Sequence, residues 1–120
     1  MSIVIFLIVT VMGVLGSFTG TQERARDTER KTDINAIHSQ LEVFYAQNGY
    51  YPTTNTFNSE ADALLRGLDN DVFVDPDGKR INTSGDYSYV AHDCDGSQCR
   101  GYDLTADMEA EDRYLKTSLN

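Results

Sequence analysis

The sequence predicts an α+β protein in which a long amino-terminal helix, apolar in its first half, packs against a small antiparallel β-sheet head. Three observations predict this fold. Residues 1–20 contain no charged side chain, residues 21–48 contain no proline and carry a helical apolar stripe, and short alternating segments separated by turn residues follow. The 120 residues suffice for one ordinary domain but not for two independent cores.

Residues 1–20 predict a helix that spans a membrane or lies in the core of a filament. As a helix they would be about 30 Å long, the thickness of a bilayer core. The pair Gly16 and Gly20 forms a GxxxG spacing, which lets helix backbones approach closely. We predict that this helix packs through Ile5, Ile8, Val9, Met12, Gly13, Gly16 and Gly20. A cleaved secretory signal is the alternative, but no basic residue precedes the apolar run.

Residues 21–52 predict the amphipathic second half of the same helix and its exit turn. The face that should pack against the head consists of Ile34, Ile37, Leu41 and Phe44. Asn48-Gly49 supplies a carboxyl-terminal cap, and Pro52 follows shortly. A helix from Met1 to Asn48 would be about 70 Å long, so half of it must be buried by something outside this domain.

The cations are concentrated, although the chain as a whole is acidic. It has 10 Lys and Arg against 19 Asp and Glu, a net charge of −9, which disfavours the binding of nucleic acid. Four cations fall within one eight-residue stretch: Arg24, Arg26, Arg30 and Lys31. They either form a solvated surface with pairs such as Asp27 and Arg30, or meet acidic groups of a neighbouring copy or anionic lipid headgroups.

Residues 53–120 predict a globular head. Ser59 and Asp62 resemble a capping box, which predicts a short helix ending near Gly67. A short strand at 72–74 and a tight turn at 75–78 should follow. The alternation in 87–91 and 102–108 predicts an antiparallel hairpin, and the tail either adds an edge strand or covers the sheet.

Cys94 and Cys99 enclose the loop of this hairpin. Their Cα atoms could reach the separation of about 5.5 Å that a disulfide needs, and a bridge is the preferred interpretation for an extracellular domain. Zinc bound by His92, both cysteines and Asp93 or Asp95 is the alternative, although paired ligand spacing is missing. The cysteines thus favour an oxidising compartment, whereas cations after the apolar segment favour the cytoplasm. A basic leader before Met1 would remove this conflict.

Catalytic and metal-binding patterns are weak. Acidic loop residues could bind calcium, but their spacing fits no EF-hand and generic turns explain them as well. These residues are Asp69, Asp71, Asp75, Asp77, Asp93 and Asp95. His38 and His92 have no nucleophile at a recognisable spacing, so we interpret both as solvated surface residues and expect neither an enzyme nor a cofactor.

Two stretches, LIVTVMGVLGSF and RARDTERKTDINAIHSQLEVFYAQNGYYP, resemble the amino-terminal half of type IV pilins and pseudopilins. The likeness lies in the arginine-rich turn, the Asp33-Ile34 pair, the aliphatic and aromatic stripe, and the final NG-x-YP, and it covers about 52 residues. Two features depart from the family: this chain shows no basic leader, and Val4 stands where family members usually carry a glutamate.

The resemblance implies a short major pilin that self-assembles into an extracellular helical filament. It further implies a membrane-bound precursor in the cytoplasmic membrane, an assembly machinery as partner, and attachment to surfaces or host cells, with twitching motility or DNA uptake as further roles. Direct binding of nucleic acid along the shaft is not expected. The alternatives are a pseudopilin of a secretion or uptake system and a monomeric, membrane-tethered binding domain.

Overall fold

The computed structural model describes the backbone of residues 2–120 and the side chains of residues 20–120. The fold is α+β, with a long helix α1 (Ser2–Asn48) followed by a small head that contains a four-stranded antiparallel sheet. The 47 residues of α1 correspond to about 70 Å.

The predicted membrane or filament segment, residues 1–20, lies outside the described side chains except for Gly20. The same holds for the predicted packing residues Ile5, Ile8, Val9, Met12, Gly13 and Gly16. A Cβ built on Gly20 would have no atom within 4 Å. Within residues 20–120, no helix is long and apolar enough to cross a membrane.

The end of α1 follows the predicted cap. Gly49 has a φ of +80°, which favours glycine, and its N–H donates to the carbonyl of Tyr45 at 2.7 Å. Strand β1 (Tyr51–Pro52) follows directly. The turn therefore returns the chain onto the head immediately after the helix.

Helix α2 (Thr54–Leu64) begins earlier than predicted. Its N-cap is Thr53, whose Oγ1 accepts a hydrogen bond from the N–H of Thr56 at 3.1 Å. The predicted capping box at Ser59 is therefore wrong, since Ser59 lies inside α2 and its hydroxyl donates to backbone carbonyls one turn earlier. The helix buries Phe57 and Ala61.

The strand predicted at residues 72–74 is also wrong. Residues Asn70–Phe73 form a 3₁₀ helix, and Val74 makes only an isolated bridge to Arg80. The N–H groups of Val72 and Val74 are taken up by carbonyls three residues earlier, so they do not join a sheet. The tight turn at 75–78 is confirmed, with the N–H of Gly78 donating to the carbonyl of Asp75 at 2.9 Å.

The predicted hairpin is confirmed and is longer than expected. Strands β2 (Tyr87–Asp95) and β3 (Gln98–Ala106) pair antiparallel through a two-residue turn. Strand β3 is central, because its other side pairs with β1 and with β4 (Tyr114–Thr117), the edge strand that the tail adds.

The core lies between α1 and the inner face of the sheet. Ile34, Ile37 and Leu41 are fully buried, and Phe44 is nearly so. Burial of such side chains contributes about 1.5–3 kcal/mol each. Aromatic rings from several elements cross this core in a continuous series of contacts: Tyr51 with Tyr102, Tyr102 with Tyr89, and Tyr89 with Phe57. The ring contacts hold the elements of the head together, and the buried face of residues 34–44 attaches the head to α1.

Candidate functional site

Arg30 is the centre of an ionic cluster that joins α1 to the head. Only 2% of its side chain is exposed. It contacts Asp27 at 2.9 Å, Glu109 at 2.7 Å and Asp86 at 3.0 Å. Burial alone would lower the pKa of Arg30, but the hydrogen bonds that Arg30 donates to Glu109 and Asp86 outweigh burial and raise the pKa. The guanidinium is therefore a fixed charge that joins α1 to two segments distant in sequence, at Asp86 and Glu109.

Asp27 connects the same helix turn to the loop after β3. Its Oδ1 and Oδ2 accept the backbone N–H groups of Glu109 and Ala110 at 2.9 and 2.8 Å. Burial of Asp27 opposes ionisation, yet these two N–H groups and Arg30 lower its pKa. Glu109 and Ala110 are thus held against α1 by main-chain hydrogen bonds to Asp27 and, at Glu109, by the side-chain contact with Arg30.

Two further cations of the basic stretch pair within the chain. Arg26 makes a bidentate pair with Glu109 at 2.6 and 2.8 Å, which with Arg30 lowers the pKa of Glu109 to about 2. Lys31 reaches Glu111 at 2.6 Å. Arg26, Arg30 and Lys31 are thus paired with carboxylates of the same chain, and their predicted role in contacts between copies stays a prediction. Among the described residues, Arg24 alone of the four makes no ion pair.

The structure assembles an acidic group that differs from the predicted calcium set. Oxygens of Asp75, Asp77 and Asp86 lie within 4.8 Å of one another, whereas Asp93 and Asp95 lie on the distant hairpin. Asp75 is buried, and its Oδ1 accepts the N–H groups of Asp77 and Lys79 while its Oδ2 accepts that of Asp86. Arg30 contacts Asp77 and Asp86, so a guanidinium already provides positive charge there.

Asp33 is a second buried carboxyl group on α1. Its Oδ2 accepts a hydrogen bond from the hydroxyl of Tyr87 at 2.7 Å. Burial raises the pKa of Asp33 to about 6, partly offset by the Tyr87 hydroxyl. A side chain that can change charge near neutral pH therefore lies between the helix and β2.

A third polar group occupies the other flank of α1. Glu42 accepts hydrogen bonds from the hydroxyls of Tyr51 and Tyr102 at 2.7 and 2.6 Å, and Nδ1 of His38 lies 2.7 Å from the Tyr102 hydroxyl. Burial raises the pKa of Tyr51 to about 12 and lowers that of His38. The interpretation of His38 as a solvated residue is therefore wrong, because the sheet covers part of its ring.

The hairpin end carries the disulfide. Cys94 and Cys99 are cross-strand partners joined by a disulfide, with Cα atoms 3.9 Å apart. The sulfurs are bonded to each other, so the zinc alternative loses both of its thiolate ligands. His92 is exposed beside Asp93, as expected for a surface histidine, and its ring packs over Gly101.

A polar pocket of about 410 Å³ adjoins the free edge of β2. The side chains of Thr54 and Asn82 accept hydrogen bonds from edge N–H groups, those of Ala91 and Tyr89, at 2.9 and 2.7 Å. Asn82 has a φ of +62° and also donates to Asn58 at 2.6 Å. These contacts cover part of the sheet edge, which would otherwise be open to another strand.

The outer face of α1 beyond Lys31 carries no charged side chain. The two carboxylates between residues 32 and 48 are Asp33 and Glu42, and both are hydrogen-bonded to tyrosines of the head. The exposed positions of this face are Thr32, Asn35, Ser39, Val43, Ala46 and Gln47.

The sequence did not identify Asp86 and Glu109 as the partners of Arg30. They lie 56 and 79 residues away from it. The available signal was local: Asp27 and Arg30 at i, i+3 on the side of the helix that the apolar stripe predicted to be buried. A cation on a buried helix face must be paired with an anion. This requirement predicts acidic partners for Arg30 but does not identify their positions in the sequence.

Comparisons with family models, curated proteins and solved structures gave no match to this chain.

Proposed function

We propose that this chain is the structural subunit of an extracellular filament of the type IV pilin kind, which self-assembles through α1. The observation that carries this proposal is the uncharged outer face of the helix. That face belongs to the same helix as an uncharged 20-residue amino-terminal segment. Along residues 32–48 copies can therefore approach without burying an unpaired charge.

Electrostatics favours this arrangement over one through the heads. Two copies that each carry −9 repel one another, and this repulsion is strongest where acidic loops face each other. Placing the helices inside and the acidic heads outside keeps these charges in water. Before assembly, the apolar segment would lie in the membrane, so assembly exchanges lipid contacts for helix contacts and depends on close packing.

The disulfide supports the pilin alternative over the pseudopilin. A bridge between Cys94 and Cys99 persists in an oxidising compartment, which fits a head exported from the cytoplasm. Among the described residues, no cysteine is free. The assembly machinery and a bound surface, such as that of a host cell, are the partners this function requires. Attachment is the role we favour, with motility and DNA uptake as further candidates.

Electron microscopy of material sheared from native cells, with mass spectrometry of the intact subunit, tests the proposal. We expect thin fibres built from this chain. We further expect Gly16→Leu to abolish the fibres, because the larger side chain separates packed helices, while the head stays folded by circular dichroism. Abundant normal fibres from Gly16→Leu, or none from the native chain, would refute the proposal.

A monomeric, membrane-tethered binding domain is the second candidate. The polar pocket beside β2 favours it, since concave sites with convergent polar groups are typical of ligand binding. This candidate predicts single particles in detergent and no fibres from native cells.

A further inference from the structure

The carboxyl-terminal segment displays one leucine between two anchored residues. The side chain of Leu119 is 74% exposed. Before it, the N–H of Ser118 donates to the carbonyl of Tyr102 at 3.2 Å. After it, Nδ2 of Asn120 donates to Glu42 at 3.0 Å and lies 3.2 Å from the Tyr51 hydroxyl. These contacts fix the position of a solvent-exposed apolar side chain. Because the segment is already ordered, a partner that binds this side chain pays little additional conformational entropy.

A groove between α1 and α2 offers a matching surface. It has a volume of about 490 Å³. Its lining combines apolar side chains with the polar side chains of Gln40, Gln47 and Asn48; the apolar ones are Val43, Phe44, Ala63 and Leu64. Val43 is 44% exposed, so its side chain is open to contact from outside the chain. Of the described residues that line the groove, Arg66 alone is charged, and its sign is opposite to the net charge of another copy. The groove thus combines apolar contact with attraction for an acidic partner.

The leucine and the groove lie on opposite flanks of the helix. Glu42 holds the carboxyl-terminal segment, whereas Gln40 lines the groove. Residues two positions apart on an α-helix point about 200° apart. One copy therefore cannot fill its own groove, but copies placed side by side can each fill the groove of the next. Such a head-to-tail contact between two different patches builds an open helical filament whenever the rotation between copies does not close into a ring.

We propose that Leu119 of each copy docks into the α1–α2 groove of its neighbour and so sets the lateral contact between heads. This inference rests on the proposed filament function and identifies the surfaces through which neighbouring heads would contact each other. The uncharged face of α1 lies between these two patches, so the docked heads bring the helices of neighbouring copies together.

Crosslinking of the full-length chain expressed in its native cells tests this contact. The double variant Leu119→Cys with Ala63→Cys places one thiol on the segment and one in the groove. Mild oxidation should yield a ladder of covalent multimers, because each copy bridges to two neighbours. The control pairs Ala63→Cys with Val90→Cys, an exposed apolar position on β2.

A second pair of variants tests the energetics. Leu119→Asp should reduce the fibre yield about tenfold or more, as expected for an apolar anchor in a contact, whereas Val90→Asp should change it by less than about twofold. Both positions are exposed, so neither change should lower the melting temperature of the head.

The outcomes separate this inference from the proposed function. Native fibres with a ladder only for the Leu119 and Ala63 pair support it. Native fibres with no such ladder, or with full yield from Leu119→Asp, overturn the docking contact and leave the filament function intact. An absence of native fibres overturns the filament function. In that case, a ladder in the membrane fraction that is specific to the Leu119 and Ala63 pair would still support the docking contact. The absence of both fibres and ladder would overturn the filament function and the contact together.

Discussion

The two regions of α1 that contact the head are held to it by different interactions. Residues 26–33 are held by charge, through Arg30, Asp27 and the carboxylates around them. Residues 34–44 are held by apolar burial, with Ile34, Ile37 and Leu41 fully covered. Both regions lie on one continuous helix and face one head, so the contrast arises from the chemistry of their side chains.

This difference predicts different responses to solvent. The stabilisation from apolar burial depends little on salt or pH. Exposed ion pairs weaken as the salt concentration rises, and any ion pair weakens when a change of pH neutralises one of its partners. The charged region also lies closer to the apolar segment of α1. We expect it to open first when the head loosens, leaving residues 34–44 attached.

The largest effect should follow from Arg30→Ala. The change leaves Asp27, Asp86 and Glu109 without their shared cation, and removing one partner of a buried ion pair costs about 3–5 kcal/mol. Urea unfolding of the full-length chain in detergent, followed by the near-ultraviolet circular dichroism of the tyrosines, measures this loss. A loss below about 1 kcal/mol would show that the cluster contributes little.

Leu41→Ala is the matched control in the apolar region. It should cost about 2–5 kcal/mol through lost burial and a residual cavity. Its cost should be the same at low and high salt, whereas the cost of Arg30→Ala should fall as salt rises, since Glu109 and Asp86 are partly exposed. Equal salt dependence in the two variants would contradict the distinction between the regions.

Asp33→Asn should stabilise the protein above neutral pH. The pKa of Asp33 is about 6 in the folded state, above its ordinary value of 3.8, so folding favours the protonated form. The contribution of Asp33 therefore weakens stability as pH rises through 6, by at most roughly 3 kcal/mol. Asparagine stays neutral and can still accept the hydrogen bond from Tyr87.

Unfolding of wild type and Asp33→Asn between pH 4 and 8 measures this effect. The difference between the two should be small near pH 4 and should grow towards pH 8 in favour of the variant. Taking the difference removes the contributions of other groups, such as Asp27, whose lowered pKa gives the opposite pH dependence. A variant less stable than wild type at pH 8 would contradict the raised pKa.

The smallest effect should follow from Lys31→Ala. The pair of Lys31 with Glu111 is about two-fifths exposed on each side, and exposed pairs contribute about 0–1 kcal/mol. We expect less than 1 kcal/mol, and none in about 1 M salt, where screening is nearly complete. A larger loss that persists in high salt would place Lys31 in the same class as Arg30.

The structural features that depend on residues close together in the sequence were predicted well. The continuous helix and its glycine cap depend on periodicity and on one backbone conformation. The hairpin depends on alternation, and the disulfide on a loop short enough to bring the cysteines together. The errors at Ser59 and at residues 72–74 lie at element boundaries: Thr53 caps α2 instead of Ser59, and a 3₁₀ helix at Asn70–Phe73 buries Phe73.

The sequence alone determined that a basic stretch follows an uncharged segment on one helix, and that apolar residues on that helix face a head. Only the tertiary structure decided which carboxylates neutralise Arg30, why Asp33 titrates near 6, and that the exposed leucine and the groove lie on opposite flanks of α1. The physical reason is range. Periodicity and turn chemistry act over a few residues, whereas charge pairing, burial and surface complementarity depend on distances that exist only after the chain has folded.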